Sequence, residues 1–177
     1  EFYETEAFLF CSLDISGIQK FIYTIASKNA LRTLRARSFY LEIMMEHIID
    51  TLLERLELSR ANLIYSGGGH CYLLLANTQK TREVLNTFQK ELQSWFLKYF
   101  RTELFVAFGY SVCSGNTFRN VPEGSYANMF RQASAGISKA KLHRYTAEEI
   151  IALNQYRADD YTRECKVCKR IGQVDEK

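Results

Sequence analysis

Ser66-Gly67-Gly68-Gly69-His70 lies between two apolar runs, Asn62-Leu63-Ile64-Tyr65 and Cys71-Tyr72-Leu73-Leu74-Leu75. The pattern predicts a tight β-hairpin, and three of the chain's nine glycines form its turn. Glycine costs order at a strand end, and it lets a backbone approach a ligand closely. Consecutive backbone N–H groups at such a turn make a concavity that holds an anion. Ser66 adds a hydroxyl donor. A purely structural hairpin explains the same residues. Asp14, Ser16 and Gly17 end an earlier apolar run, just before a short helix start. Helix starts also favour anions, and Lys20 follows closely enough to reach a phosphate. Asp14 alone also fits a satisfied buried carboxylate or a helix cap. Metal-assisted phosphoryl transfer needs at least two converging acids. Asp14 is the only one at this junction, with Glu4, Glu6 and Glu123 as remote candidates for a second. The residues predict anion or nucleotide binding without chemistry.

Other clusters carry two readings each. Arg32, Arg35 and Arg37 crowd a helix start, where the dipole disfavours cations. They predict either a solvated basic face or an anionic partner. Lys139, Lys141, His143 and Arg144 end a later helix, where the dipole favours them regardless of any ligand. His47 reads as a surface residue, and a metal role for His70 lacks partners. Cys11, Cys71 and Cys113 fall in apolar runs and read as buried free thiols. Cys165-x-x-Cys168 has the spacing of half a zinc site. Its other half must lie outside this chain; two incidental thiols are the competing reading.

Elements must bring these residues together. Phe8 to Ile15 reads as a strand buried on both faces, and Ile18 to Tyr23 as a helical turn. A long helix spans about 30–56, with Leu41, Met45, Ile48, Leu52 and Leu56 as its core stripe. The hairpin strands lie near 61–66 and 70–76. A second helix spans about 81–100, buried through Val84, Leu85, Phe88, Leu92, Trp95 and Phe96. A fourth strand spans 103–113, a loop 116–124 and a third helix 126–142. A fourth helix starts at Thr146, whose Thr-x-x-Glu with Glu149 makes a capping box. The order β-α-β-β-α-β predicts an α+β, ferredoxin-like palm sheet with both helices on one face and extra C-terminal helices. The first and third strands are then antiparallel neighbours. Asp14 to Gly17 should meet Ser66 to His70 across fifty residues of chain.

Composition sets the outer bounds. The 177 residues are 47% hydrophobic and 14% aromatic, enough for a real core. Net charge is +3, which permits nucleic-acid contact without demanding it. No apolar run reaches the roughly 18–20 residues of a membrane helix, and the acidic start is no signal peptide. The cysteines form no disulfide framework, which predicts a cytoplasmic setting. The chain does not start with Met and reads as a fragment. Residues 1–156 form the palm-like domain. The polar stretch 157–177 reads as a linker and the start of a zinc-binding segment.

Four segments together carry a family resemblance: Leu13-Asp14-Ile15-Ser16-Gly17-Ile18-Gln19-Lys20-Phe21-Ile22-Tyr23, Leu34-Arg35-Ala36-Arg37-Ser38-Phe39-Tyr40-Leu41, Asn62 through His70, and Lys139-Ala140-Lys141-Leu142-His143-Arg144-Tyr145. In this order and spacing the chain resembles the first palm domain (GGDEF-like) of the large subunit of type III CRISPR effector complexes, Csm type. Cyclase palms carry Gly-Gly-Asp-Glu or Gly-Gly-Asp-Asp at the hairpin turn; this chain keeps the glycines and lacks the acids. The resemblance implies a parent protein with an HD single-stranded DNA nuclease domain, two palms and a zinc segment between them. It implies assembly with other effector subunits, CRISPR RNA and target RNA. Target RNA would switch on synthesis of cyclic oligoadenylates from ATP with Mg²⁺, in antiviral defence. The second palm would carry the catalysis and this first palm, inactive alone, would hold the other ATP.

By the same resemblance, Ser16, Gly17, Ser66, Gly67, Gly68 and Gly69 line the ATP pocket; Asp14, Lys20 and His70 join them as nucleotide-binding candidates from their own positions at the junction. Lys141 resembles the cyclase lysine that meets the triphosphate; Arg144 is offset by one residue from its arginine. Cys165 and Cys168 would open the zinc segment. The other reading is an assembly module without nucleotide. An orphaned palm interface would also encourage homodimers.

Overall fold

The computed structural model describes residues 2–23 and 30–155. Four strands form one antiparallel sheet in the order β2-β3-β1-β4: β1 Phe8–Ser16, β2 Leu63–Gly67, β3 His70–Ala76 and β4 Phe105–Cys113. β1 is central, antiparallel to both β3 and β4. Its register pairs Asp14 with His70 on one side and with Ala107 on the other. The α+β palm topology and the meeting of Asp14 with the hairpin stand as expected.

Alternation along the strands decides which side each residue serves. Leu9, Cys11, Leu13 and Ile15 of β1 face one way, with Cys71, Leu73 and Leu75 of β3. The long helices α2 (Ala30–Arg55) and α3 (Gln79–Phe100) cover this side, packing Leu41, Met45, Ile49, Leu52, Leu85 and Phe96 into the main core. The short α1 (Ile18–Tyr23) joins through Ile18, Phe21 and Ile22. Phe10 points the other way, onto Met129 and Ala133 of α5 (Ser125–Leu142). Phe105 and Ala107 meet Ile137 there. The added helix α5 therefore covers the opposite face, over β1 and β4.

That contact is unusually close. A Cβ at Gly109 on β4 would lie 2.0 Å from the Ala133 carbonyl oxygen, and one at Gly136 on α5 would lie 3.0 Å from the Gly109 Cα. Two glycines lay the helix backbone on the strand backbone.

Several boundaries and side chains differ from expectation. A 3-10 turn, Arg60–Asn62, precedes β2. The 116–124 loop begins with the short helix α4 (Gly115–Phe118), capped by a reciprocal Ser114–Thr117 box. Trp95 is not in the core: it is 38% exposed, and Phe96 and Phe100 take the buried positions. The last helix, α6 (Ala147–Gln155), keeps the Thr146–Glu149 box through bonds of 2.8 and 3.2 Å. Cys11, Cys71 and Cys113 are buried free thiols. Burial pushes Cys71 up to about 12 and Cys113 up to about 11, so neither is a nucleophile at neutral pH. No helix among the described residues is long and apolar enough to cross a membrane.

Candidate functional site

The hairpin turn folds because two of its glycines take positive φ, Gly68 at 62° and Gly69 at 82°. The Gly69 carbonyl accepts a 2.8 Å bond from the Ile15 N–H, which ties the turn to the end of β1. Gly17, at φ 91°, leaves no room for a side chain, since its Cβ would lie 1.9 Å from the Glu103 carbonyl oxygen. A Cβ at Gly69 would meet the Ile18 side chain at 2.0 Å. Packing and backbone conformation thus explain both glycines. Gly68 is different: a Cβ there has nothing within 4 Å.

The residues expected at one site divide between two faces of the sheet. On the α5 face lies a polar network around Asp14. Lys141 Nζ is 2.7 Å from Asp14 Oδ2, and His70 Nδ1 is 3.2 Å from Asp14 Oδ1. The Ser16 hydroxyl donates to Oδ2 at 3.4 Å. Because a carboxylate only accepts, His70 Nδ1 carries the proton; in the neutral ring Nε2 then accepts from Ser12 Oγ at 3.1 Å. Ser12, His70 and Asp14 have the order of a hydrolytic triad. Ser12 is only 1% exposed, however, so no substrate reaches its hydroxyl.

Burial alone would push Asp14 up. The His70 and Lys141 hydrogen bonds and their charges outweigh it and hold Asp14 below its ordinary 3.8. A depressed carboxylate stabilises the fold above its unfolded value, and the contribution is lost as pH falls through the folded value. We expect Asp14→Asn to lower the urea midpoint at pH 7. The gap to the parent should close on acidification below about pH 4. A gap that stays constant from pH 7 to pH 3 would show that Asp14 carries no such linkage.

On the opposite face, a cleft of about 280 Å³ opens between the turn and α2. Gly67, Gly68 and Gly69 form one wall; Ile18, Ile22, Leu41 and Met45 give it an apolar floor. Ser38, Glu42, Glu46 and Ser66 supply its polar groups. Glu46 is engaged: it accepts from the Ser66 hydroxyl at 2.9 Å and pairs with Arg60 at 2.5 Å. Sequence reasoning missed Glu42 and Glu46, although four residues apart on a helix beside Met45 they had to share a face. It also missed Ser12, whose only signal was polarity inside an apolar strand.

The other candidates scatter. Lys20 is exposed on α1. Arg37 is neither solvated nor open to an anion: it is buried, donates to the Phe21 carbonyl and lies 5.3 Å over the Phe21 ring. Arg32 and Arg35 are exposed, as is His47. Arg144 caps α5 through the Lys141 carbonyl at 3.1 Å and lies over Phe105. Glu4 and Glu6 precede β1, whose first residue, Phe8, already lies six residues, about 20 Å, from Asp14 along the strand. Glu123 precedes α5, at the opposite end from Lys141. Among the described residues no group of three His, Cys, Asp or Glu side chains could hold a metal ion. Cys165 and Cys168 lie outside the described residues.

Residues 7–156 match the family described as Csm1 subunit domain B. The chain belongs to the Csm1 domain B family. Domain B here is 48% identical, over 96% of its length, to the CRISPR system single-strand-specific deoxyribonuclease Cas10/Csm1 (subtype III-A) of Enterococcus italicus. It is 45% identical over 98% of its length to the corresponding protein of Mycobacterium tuberculosis. The match covers 22% and 23% of those proteins, so this domain B chain spans about a fifth of its curated relatives. Among solved structures it is similar to a Csm1–Csm4 cassette in complex with AMPPNP, with TM-score 0.75 and 31% identity over 88% of this chain and 21% of that one. A similar likeness holds to a Csm1–Csm4 cassette in complex with cA3, with TM-score 0.72, 31% identity and coverage of 81% and 20%.

Proposed function

We propose that this domain B binds ATP without transferring its phosphates, as the non-catalytic palm of a type III-A effector subunit. The subunit would make cyclic oligoadenylates when target RNA binds and would carry an HD single-stranded DNA nuclease elsewhere. The carrying observation is the state of Asp14. Asp14, the carboxylate on the α5 face of the junction, is already bonded by Lys141, His70 and Ser16, and Glu46, on the other face, is held by Ser66 and Arg60. The α5 face of the junction offers no second acid for a two-ion site, so Mg²⁺ would arrive with the triphosphate or on a partner palm's acids.

The cleft suits the base. An apolar floor is flanked by Glu42, Ser38 and Ser66, acceptors and donors for an exocyclic amino group and ring nitrogens. The glycine backbone, with Lys141 on the far side of the strand end, suits the phosphates. Names of solved relatives support nucleotide binding: Csm1–Csm4 cassettes are known in complex with one ATP, with AMPPNP and with pppApA. In this reading the partners are a second palm, the HD domain, a Csm4 subunit, other effector subunits and their RNAs. Cys165 and Cys168 would hold zinc with two ligands from outside the chain, and the setting would be cytoplasmic.

One observation favours a purely structural module: packing already accounts for Gly17 and Gly69. Gly68 separates the two readings. Its φ of 62° suits asparagine at a cost of about 1 kcal/mol, and its missing Cβ faces open space. In the assembled effector, Gly68→Asn should leave assembly intact and weaken ATP binding about tenfold, while domain B alone with ATP and Mg²⁺ makes no oligoadenylate. Unchanged binding and synthesis in Gly68→Asn would leave the structural module standing. Product from the isolated domain would overturn the non-catalytic assignment.

A further inference from the structure

β2 is the edge strand that leads into the glycine turn, and the sheet alone holds it loosely. Among the described residues it pairs only with β3, and its register slips between Leu63 and Tyr65. Such a bulge bends an edge strand and interrupts its ladder. The three glycines bring no side chain to α2, and even a Cβ at Gly68 would touch nothing within 4 Å. The β3 side of the turn is fixed by the bond from the Ile15 N–H to the Gly69 carbonyl, 2.8 Å long. The β2 side needs a tie of its own.

That tie runs through side chains. The 3-10 turn before β2 is anchored first: Ser59 Oγ accepts from the Ala61 N–H at 3.3 Å, and Asn62 Nδ2 donates to the Leu74 carbonyl at 2.8 Å. From this base Arg60 reaches α2 as a fork. Its Nη2 meets Glu46 Oε2 at 2.5 Å, and its Nε meets Asp50 Oδ1 at 2.8 Å. Glu46 and Asp50 are four residues apart and share one helix face. With Oε2 taken by Arg60, Glu46 turns Oε1 to the Ser66 hydroxyl at 2.9 Å. A carboxylate only accepts, so Ser66 donates, and its oxygen is left to a ligand as an acceptor. Glu46 and Ser66 line the cleft, and Arg60 reaches it through them.

We infer that Arg60 is a positioning residue for the cleft: by fixing Glu46 it sets where Ser66 and the glycine turn stand against α2. The inference rests on the reading of this cleft as the ATP site. A guanidinium suits the task because its planar fork spans two carboxylates, which a single ammonium does not. Both ion pairs are exposed, and exposed pairs add little to stability. The effect of Arg60 therefore falls on the place of the turn and on what the cleft holds, and hardly on the fold.

The test uses the assembled effector, with calorimetry for ATP and hydrogen exchange of the segment 63–72 read by mass spectrometry. Arg60→Ala should weaken ATP binding about threefold and speed exchange at the turn by a similar factor, the scale of an exposed ion-pair network. Ser66→Ala should weaken ATP binding too, and adding Arg60→Ala to it should cause no further loss. Arg55→Ala is the control. It removes the 2.6 Å Arg55–Glu91 pair, which is also exposed but joins α2 to α3, and should leave ATP affinity and turn exchange at parental values. Parental turn exchange in Arg60→Ala, or parental ATP affinity in an effector that binds ATP, would overturn the assignment. So would a further loss in the Ser66→Ala background, which would make Arg60 act by charge and not through Ser66. A loss in Arg55→Ala equal to that in Arg60→Ala would overturn it as well. If the parent effector does not bind ATP, the nucleotide reading falls and turn exchange alone decides: faster exchange in Arg60→Ala supports the positioning role, and unchanged exchange overturns it.

Discussion

Gly109→Ala is expected to destabilise this domain by about 3 kcal/mol, the upper range for an overpacked core. The added methyl would sit 2.0 Å from the Ala133 carbonyl oxygen and 2.9 Å from the Ile137 amide nitrogen. Both are helix backbone atoms, so no rotamer change relieves the clash. Either β4 or α5 must move. β4 is hydrogen-bonded to β1 along nine paired positions, Phe8–Cys113 through Ser16–Phe105, so the helix is the element that yields. Its displacement carries Lys141 away from Asp14, and nucleotide affinity should fall together with stability. A loss of this size lowers the melting temperature by about 6–12 °C for a domain of this length. Gly124→Ala is the control. Gly124 has positive φ, at 85°, but a Cβ there touches nothing within 4 Å. It should cost only about 1 kcal/mol. Equal urea midpoints for the two variants would show that the glycine contact between β4 and α5 is not tight in solution.

The topology was legible because its signals are local and repeated. Apolar runs bounded by Gly and polar residues marked the strands, and the Leu41, Met45, Ile48, Leu52 stripe marked the long helix. The β-α-β-β-α-β order then placed β1 beside β3, and the Asp14–His70 pairing followed from register alone. Sidedness was not legible. β1 is apolar on both faces, so its sequence does not say which face α5 would cover, nor that Asp14 and the glycine cleft lie on opposite sides.

Trp95 misled because it adjoins Phe96, and adjacent helical residues point about 100° apart. The Phe88, Phe96, Phe100 series at multiples of four won the core. Arg37 gave no signal of burial, since the carbonyl and ring that receive it belong to Phe21, sixteen residues earlier. The cap of α4 uses Thr117 where a Glu or Gln is the usual mark, so a loop was the natural expectation.

Lys141 and Asp14 should have opposite effects on nucleotide affinity, which separates a counter-ion from a metal ligand. If Asp14 held a divalent ion for the triphosphate, replacing it with Asn would weaken ATP binding. Its geometry argues the reverse. The 2.7 Å contact from Lys141 and the 3.2 Å contact from His70 place cationic or donor groups where a metal would bind. The carboxylate then competes with an incoming phosphate for the lysine. Asp14→Asn removes one negative charge near the phosphate position and should tighten ATP binding about threefold. Lys141→Ala loses a charge-assisted bond and leaves Asp14 less compensated. It should weaken binding by about ten- to a hundredfold. Part of that loss is repulsion from the exposed carboxylate, so adding Asp14→Asn to Lys141→Ala should recover some of it. The four affinities, measured by calorimetry on the assembled effector, form a cycle whose coupling must be non-zero. A weakened Asp14→Asn variant with a strict Mg²⁺ requirement would return Asp14 to the role of metal ligand. Additive effects of the two substitutions would show that the 2.7 Å pair is not maintained when ATP binds.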